Sequence, residues 1–309
     1  MFLKSVLIGL LAILIVLLAI IGIANYGVGA RELTDDDFLY DWMASLDDET
    51  PINELYIPGT HDSGALYSFL GISGKCQSYT IEEQLSFGVR LFDIRLQLRG
   101  CDLAVVHSFV DQKLTFESVL DEMKSFLEAN PSEFIIISIK EDADAENPTI
   151  TFENAVEDML YEKLGSLLNT NTQLPETVGE ARGKVHIISR YANSSLGVPA
   201  HSGWQDSTCF ELDSLFVQDY YAISSIEAKM ASISVAFSRA YVPQYALVLN
   251  FTSCYLEEGF PPAHAPTTAK KINPQLAKLI ADGKAAPCAF LIDFITPELS
   301  NSIVELNFR

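Results

Sequence analysis

Leu55-Tyr-Ile-Pro-Gly-Thr-His61-Asp62-Ser63, Gly88-Val-Arg-Leu-Phe-Asp93-Ile-Arg95 and Leu103-Ala-Val-Val-His107 are three apolar runs that each close on ionisable residues. A parallel strand buried on both faces reads as an apolar run, and an α/β barrel carries its chemistry on the side chains at the strand exits. These three exits bring together two histidines, an arginine and two aspartates. Histidines flanking a reaction can divide the work of general base and general acid, and the arginine fork matches phosphate oxygens rather than a carbonyl. The stretch therefore points to a parallel barrel that handles a phosphodiester.

Outward from these motifs the alternation continues. Strands are expected at Glu54–Pro58, Val89–Arg95, Ala104–His107, Phe134–Lys140, Lys184–Arg190, Leu215–Gln218, Ala246–Phe251 and Ala289–Phe294. Between them Thr80-x-x-Glu83 is a capping box for a short helix that Gly88 closes, and Phe116–Ala129 places Val119, Leu120, Met123, Phe126 and Leu127 on one helical face. Further helices are expected at Phe152–Leu168, Ser225–Ala240, Ile272–Asp282 and Pro297–Leu306. Strand alternating with helix predicts an α/β chain with a TIM-type (β/α) barrel as a single domain. Seven exits are ionisable: His61, Arg95, His107, Lys140, Arg190, Asp219 and Asp293. Gathered at one end of a barrel they predict a pocket of positive character, suited to an anionic group on a larger polar substrate.

The N-terminus is a separate segment. Val6–Ala24 is nineteen residues without a charge or a strongly polar group. As a helix it would extend about 28 Å, close to the thickness of a bilayer core. Lys4 before it and an acidic segment after Arg31 orient the body of the protein outside the cytoplasm. Val28-Gly-Ala30 is a small-residue cleavage site, yet the run exceeds the roughly 7–15 residues of a signal peptide's apolar core. A removed signal and a retained transmembrane anchor both stay open, so the chain divides into residues 1–30 and a barrel domain over 31–309. Residues 31–50 form an acidic lead-in containing Trp42, with a short helix expected at Asp36–Ser45.

Lys4 is the one basic residue before position 31, so the body carries 19 basic against 41 acidic residues. That charge repels nucleic acid and anionic lipid alike, which leaves apolar contact as the means of meeting a membrane. Two loops supply it: Ala65–Ile72, with Leu66, Tyr67, Phe69 and Leu70, and Cys254–Pro266, with Tyr255, Phe260 and Pro261-Pro262. The five cysteines, Cys76, Cys101, Cys209, Cys254 and Cys288, lack a CxxC pair or zinc spacing. Cys288 opens an apolar run and is expected to be buried; the other four could pair in an oxidising compartment.

The order of motifs resembles the X domain of the phosphatidylinositol-specific phospholipases C in its bacterial, metal-independent form. Pro58-Gly-Thr-His-Asp-Ser63, Gln84-Leu-x-x-Gly-Val-Arg-x-Phe-Asp-Ile-Arg95, Val106-His107, Asn130-Pro-Ser-Glu133 with Ile-Ser-Ile-Lys140, Gly183-Lys-x-x-x-x-x-Arg190-Tyr191, Val217-Gln-Asp219 and Ile292-Asp-Phe-Ile295 follow in the family's sequence. The resemblance implies a distorted, incomplete barrel and the release of diacylglycerol and a cyclic inositol phosphate from phosphatidylinositol or its glycosylated form. It makes His61 the general base, oriented by Asp293, and His107 the general acid, coupled to Asp62. Arg95 would hold the phosphate oxygens, with Asp93 positioning it. Lys140, Arg190 and Asp219 match residues that bind inositol hydroxyls, and Tyr221 one that stacks on the ring.

Arg95 stands where calcium-dependent relatives place a metal-ligating carboxylate, so no metal or other cofactor is expected. Ser108-Phe109 departs from the glycine that often follows the acid in bacterial members. A monomer acting on lipid in a membrane, without a nucleic-acid partner, is the expected state. Two other readings share the barrel: an idle lipid- or glycan-binding module, and a metal-dependent glycerophosphodiester hydrolase.

Overall fold

The computed structural model describes residues 2–24, 29–68, 74–257 and 264–309. In chain order its elements are α1 (Phe2–Ala24), β1 (Tyr56–Thr60), α2 (Ile81–Ser86), β2 (Leu91–Arg99), β3 (Asp102–His107), β4 (Val110–Thr115), α3 (Phe116–Ala129), β5 (Ile135–Glu141), α4 (Phe152–Leu164), α5 (Val178–Ala181), β6 (Val185–Arg190), β7 (Val198–Pro199), β8 (Cys209–Leu212), β9 (Leu215–Gln218), β10 (Ala222–Ile223), α6 (Ile226–Arg239), β11 (Leu247–Phe251), β12 (Tyr255–Leu256), α7 (Ala265–Ala281), β13 (Cys288–Ile292) and α8 (Pro297–Val304). The main sheet runs β7-β6-β5-β2-β1-β13-β11-β9-β8, with β1, the first strand, at its centre. Neighbours from β7 round to β9 pair in parallel, and β8 closes the far side antiparallel to β9. Among the described residues β7 and β8 do not pair with each other, so the curl stays open, an incomplete (β/α) barrel as expected.

The alternation of side chains along these strands sorts the core into two parts. One face of each strand meets the helices: Phe92, Ile94, Ile137, Ile139, Ile187, Phe216, Val248, Phe290 and Ile292 join the outer cluster. The other face fills the barrel, with Ile57, Leu91, Ile136, Ile188, Val217, Leu249, Ala289 and Leu291 in the inner cluster. The inner face is the one that matters for chemistry. Two or four residues beyond its apolar members come His61, Asp93 and Arg95, Lys140, Arg190, Asp219 and Asp293. Sheet curvature thus converts a period of two into a ring of polar side chains around one mouth.

Two local devices hold β1 in place. Gly59 is required by close approach, because a Cβ there would sit 2.7 Å from the Phe290 carbonyl oxygen on β13. Gly88 ends α2 at φ +97°, a conformation that favours glycine. The Thr80–Glu83 capping box forms as expected, the Glu83 N–H reaching Thr80 Oγ1 and the Thr80 N–H reaching Glu83 Oε2.

Beneath the barrel, buried Arg90 donates from Nε to Glu133 at 2.9 Å and from its other nitrogens to the Leu85, Val89, Leu39 and Tyr40 carbonyls. The acidic lead-in is thereby stapled to the core, and Trp42 joins it through Nε1 to the Gly88 carbonyl. Glu133→Ala leaves the Arg90 guanidinium buried without its counter-charge, so we expect a loss of about 3–5 kcal/mol in urea unfolding. A loss below 1 kcal/mol would show that the pair is not what secures the lead-in.

Several expectations are corrected. Ala104–His107 is not a parallel barrel strand: β2 runs four residues past Arg95 and turns back at Gly100-Cys101 into β3, which pairs antiparallel with both β2 and β4. Leu96 and Leu98 face Val105 and Leu103 across this pair, and all four join the outer core cluster. The lead-in helix is two separate 3-10 turns, Asp35–Asp37 and Trp42–Ser45, because three consecutive aspartates and a following aromatic pair offer no continuous apolar face. The last helix before β13 starts earlier than expected, at Ala265, and continues through Pro274.

All five cysteines are free thiols, with Cys76, Cys254 and, as expected, Cys288 buried, so the four that could have paired do not. Among the described residues no helix is long and apolar enough to cross a membrane. Of α1, the side chains described are those of residues 6–17 and 19. Val28 of the cleavage site, Phe69 and Leu70 of the first apolar loop, and Phe260, Pro261 and Pro262 of the second lie outside the described residues.

Candidate active site

A cavity of about 960 Å³ opens at the strand exits, and His61, Arg95, His107, Lys140, Arg190, Asp219, Tyr221 and Asp293 all line it. Asp62 and Asp93 stand behind these, fully buried. All ten residues singled out in the sequence therefore converge on one place.

β1 and β13 adjoin in register, which sets His61 beside Asp293. His61 Nδ1 lies 2.8 Å from Asp293 Oδ1, and Nε2 lies 2.8 Å from an Arg95 terminal nitrogen. An arginine nitrogen only donates, so Nε2 accepts and the proton of a neutral ring resides on Nδ1, facing the carboxylate. On the other side of the pocket His107 Nδ1 lies 2.8 Å from Asp62 Oδ2. Burial works against charging this ring, but the charge and hydrogen bond of Asp62 outweigh it and raise the His107 pKa above the ordinary 6.5.

Arg95 is the hub. Its Nε lies 3.1 Å from Asp93 Oδ2 and 3.7 Å from Asp62 Oδ2, and one terminal nitrogen is 3.4 Å from Asp142 Oδ1. Burial alone would oppose its charge, yet Asp93, Asp62 and Asp142 hold its pKa well above that of a free guanidinium. Asp93 is likewise held far below the usual carboxylate range, against burial, by Arg95 and Arg190. Arg190 lies 3.1 Å from Asp93 Oδ1, while its guanidinium stacks 3.6 Å above the Trp204 ring. Trp204 in turn donates to Asp219 Oδ2 at 3.0 Å. Lys140 pairs with Asp142 at 2.6 Å, and the Tyr221 hydroxyl donates to Asp206.

The pocket is thus not a positive basin. Arg95, Lys140 and Arg190 are each matched by an aspartate, because a buried cation without a partner is strongly destabilised. A ligand phosphate must take over bonds that aspartates and His61 now hold.

Three of the non-glycine residues with positive φ sit at the same positions. Asp62, Ser108 and Phe294 have φ of 45°, 54° and 51°, a conformation that costs about 1–3 kcal/mol outside glycine. Each is held by a hydrogen bond: the Asp62 N–H donates to Asp93 Oδ2, the Ser108 N–H to Asp142 Oδ2, and the Phe294 N–H to the Cys76 carbonyl. The turns that carry Asp62, His107 and Asp293 are fixed by the site's own network.

Sequence reasoning missed Asp142, Trp204, Asp206 and Cys76, which also line the cavity. Asp142 sits in Glu141-Asp-Ala-Asp144, a run that reads as a solvated loop, and its place two residues after Lys140 on an inward-facing strand was the available signal. Trp204 and Asp206 come from the connection before β8, which carries no periodicity. Lys229, fully buried on α6, donates to the Tyr220 carbonyl at 2.7 Å and pins the exit that bears Asp219; burial pushes its pKa down to about 8.

Residues 49–191 match the family model for the phosphatidylinositol-specific phospholipase C X domain. A relative named 1-phosphatidylinositol phosphodiesterase, from Staphylococcus aureus strain Newman, is 30% identical over 275 residues, covering 82% of this chain and 87% of its own. A solved mutant of the phosphatidylinositol-specific phospholipase C from Staphylococcus aureus superimposes with a TM-score of 0.78 at 27% identity, over 87% of this chain and 96% of that one. The Listeria monocytogenes phosphatidylinositol-specific phospholipase C shares the fold, with a TM-score of 0.71 at 21% identity over 87% and 98% of the two chains.

Proposed function

The chain belongs to the phosphatidylinositol-specific phospholipase C family, and from that premise we propose that it cleaves phosphatidylinositol to diacylglycerol and inositol 1,2-cyclic phosphate without a metal. The observation that carries the reading is the contact of Arg95 with His61 Nε2 at 2.8 Å. A phosphate drawn to that guanidinium lies against the only unprotonated ring nitrogen of the His61–Asp293 pair. A hydroxyl on the carbon next to the phosphoester is then within reach of a base and needs no water to attack.

His61 takes the proton of the inositol 2-hydroxyl, and its oxygen forms the new bond to phosphorus. Arg95 holds the charge of the phosphoryl oxygens. His107, protonated through its pairing with Asp62, gives its proton to the glycerol oxygen as the phosphorus–oxygen bond breaks. Lys140, Arg190 and Asp219 supply donors and an acceptor for the inositol hydroxyls, and Tyr221 offers the ring a face. The guanidinium standing among Asp62, Asp93 and Asp142 brings its own fixed positive charge to the place where the phosphate is held, so the reaction needs none from a metal.

Residues 31–309 act as the catalytic body, and residues 1–30 direct it out of the cytoplasm. Arg31 ties the start of the body to its end, pairing with Asp37 and with Glu298 on α8. Exposed Tyr67, Phe109 and Tyr255 offer the apolar contact with lipid that the net charge cannot.

The test is to incubate the protein with phosphatidylinositol vesicles, and separately with phosphatidylcholine and with a glycosylphosphatidylinositol-anchored protein, all in excess chelator, following phosphorus resonances. A cyclic phosphodiester from the inositol lipids alone is expected; turnover that stops in chelator would sink metal independence, and cleavage of phosphatidylcholine would sink the head-group assignment. A pH profile adds a second check. Because the His107 pKa is raised, the protonated acid persists above pH 6.5 and kcat/KM falls only as pH rises through that higher value. Asp62→Asn should move this alkaline limb to lower pH, and an unmoved limb would remove His107 as its source.

A further inference from the structure

Cys76 has no part in the chemistry above, yet it sits between the two histidine–aspartate pairs. Its Sγ lies 3.4 Å from His107 Nδ1, and it lines the cavity although little of it is exposed. Cys76, Asp62 and His107 bring three ligand atoms within 4.8 Å of one another, and Cys76, His61 and Asp293 do the same. Two donors on a tetrahedral zinc ion stand roughly 3.3–3.8 Å apart, given bonds of about 2.0–2.3 Å. Two carboxylate oxygens of these sets, Asp62 Oδ1 and Asp293 Oδ2, are buried and have no hydrogen-bond partner. A buried carboxylate oxygen without a donor favours a cation beside it.

We propose that Cys76 makes this site a receptor for a thiophilic divalent cation of the zinc type, bound by Asp62, Cys76 and His107, and that the ion switches the enzyme off. The thiol and the His107 imidazolium each lose a proton to solvent as the sulfur–metal and nitrogen–metal bonds form, and no electrons change hands. The ion occupies His107 Nδ1 and the Asp62 carboxylate, so the imidazolium that should serve the leaving group is gone. The His61–Asp293 set shares the same sulfur, so only one of the two sets can use it at a time. A hard cation such as Mg²⁺ or Ca²⁺ has little affinity for a set of one thiolate, one imidazole and one carboxylate. That binding inhibits rests on the function proposed above; that it occurs does not.

The experiment separates the two. Full-length protein without lipid is titrated with Co²⁺, then with Zn²⁺. A thiolate-to-cobalt charge-transfer band saturating at one equivalent, displaced by Zn²⁺, is expected, persisting in Cys101→Ser and absent in Cys76→Ser. X-ray absorption at the zinc edge of the unaltered protein should find one sulfur among nitrogen and oxygen ligands, which keeps the test independent of how the variants fold. Zinc without a sulfur ligand overturns the proposal. With lipid present, the zinc concentration that halves turnover should rise at least tenfold in Cys76→Ser, each protein being compared with its own metal-free rate. Equal sensitivity of the two proteins overturns the inhibitory role. A bound zinc in a protein that never turns over phosphatidylinositol would instead count against the function and leave the site standing.

Discussion

His61→Ala and His107→Ala should each lower turnover of phosphatidylinositol by about 10⁴-fold, the upper range for loss of a positioned acid or base. The two should separate when the leaving group changes. From an inositol phosphate ester of a nitrophenol the nitrophenolate departs as a stable anion and needs no proton. On that ester His107→Ala should recover to within about tenfold of the parent, whereas His61→Ala should stay as slow as on the lipid, since the attacking hydroxyl still needs its base. The geometry argues for this division: His61 Nε2 lies against Arg95, where the phosphate is held, while His107 Nδ1 is paired with Asp62, which favours its protonated form. Recovery of His61→Ala on the activated ester, in place of His107→Ala, would reverse the assignment. The double variant should be little slower than either single one, because an acid and a base that act in one step are not additive.

Arg95→Lys should lower kcat by about 10³-fold with KM changing much less. Arg95 spans two tasks with one planar group: Nε is occupied by Asp93 while a terminal nitrogen lies against His61. An ammonium group keeps the charge but cannot direct donors to both places. Asp93 retains Arg190, so the melting temperature should move little and the loss belongs to the reaction. Steady-state kinetics beside thermal unfolding measure both. Turnover within tenfold of the parent would mean that the fork is not what steadies the phosphoryl oxygens.

How much of this was legible before the fold was known depended on periodicity. Inward-facing positions repeat every second residue, so an apolar strand carries its polar exit in phase with the barrel interior: Leu91, Asp93, Arg95; Ile136, Ser138, Lys140; Ala289, Leu291, Asp293. Those residues could be read, and with them the ring around the mouth. The hairpin could not be recognised from a single apolar run, because Leu103–His107 has the same composition whether it pairs in parallel or folds back on β2. Only Gly100, placed between two alternating segments, marked the turn. Trp204 escaped for a different reason: its partners, Arg190 and Asp219, lie elsewhere in the chain and nothing local to it encodes them, whereas Asp142 carried a local sign in Lys140 two residues before it. The expected positive charge failed in the same way, since counting exits omitted the aspartates that burial requires.

The hairpin has a consequence for how such an enzyme can diverge. Among the described residues β4 pairs with β3 alone, and the acid closes β3 at the turn into β4, while the base stands just past the first strand at the centre of the sheet. Insertions or substitutions in the arm can re-aim the proton donor toward a different departing alcohol without disturbing the strand order that defines the base, the phosphate clamp and the sugar-binding residues. Recognition of the head group and tolerance of the tail are thus inherited on separate pieces of chain, and a lineage can change the second while keeping the first.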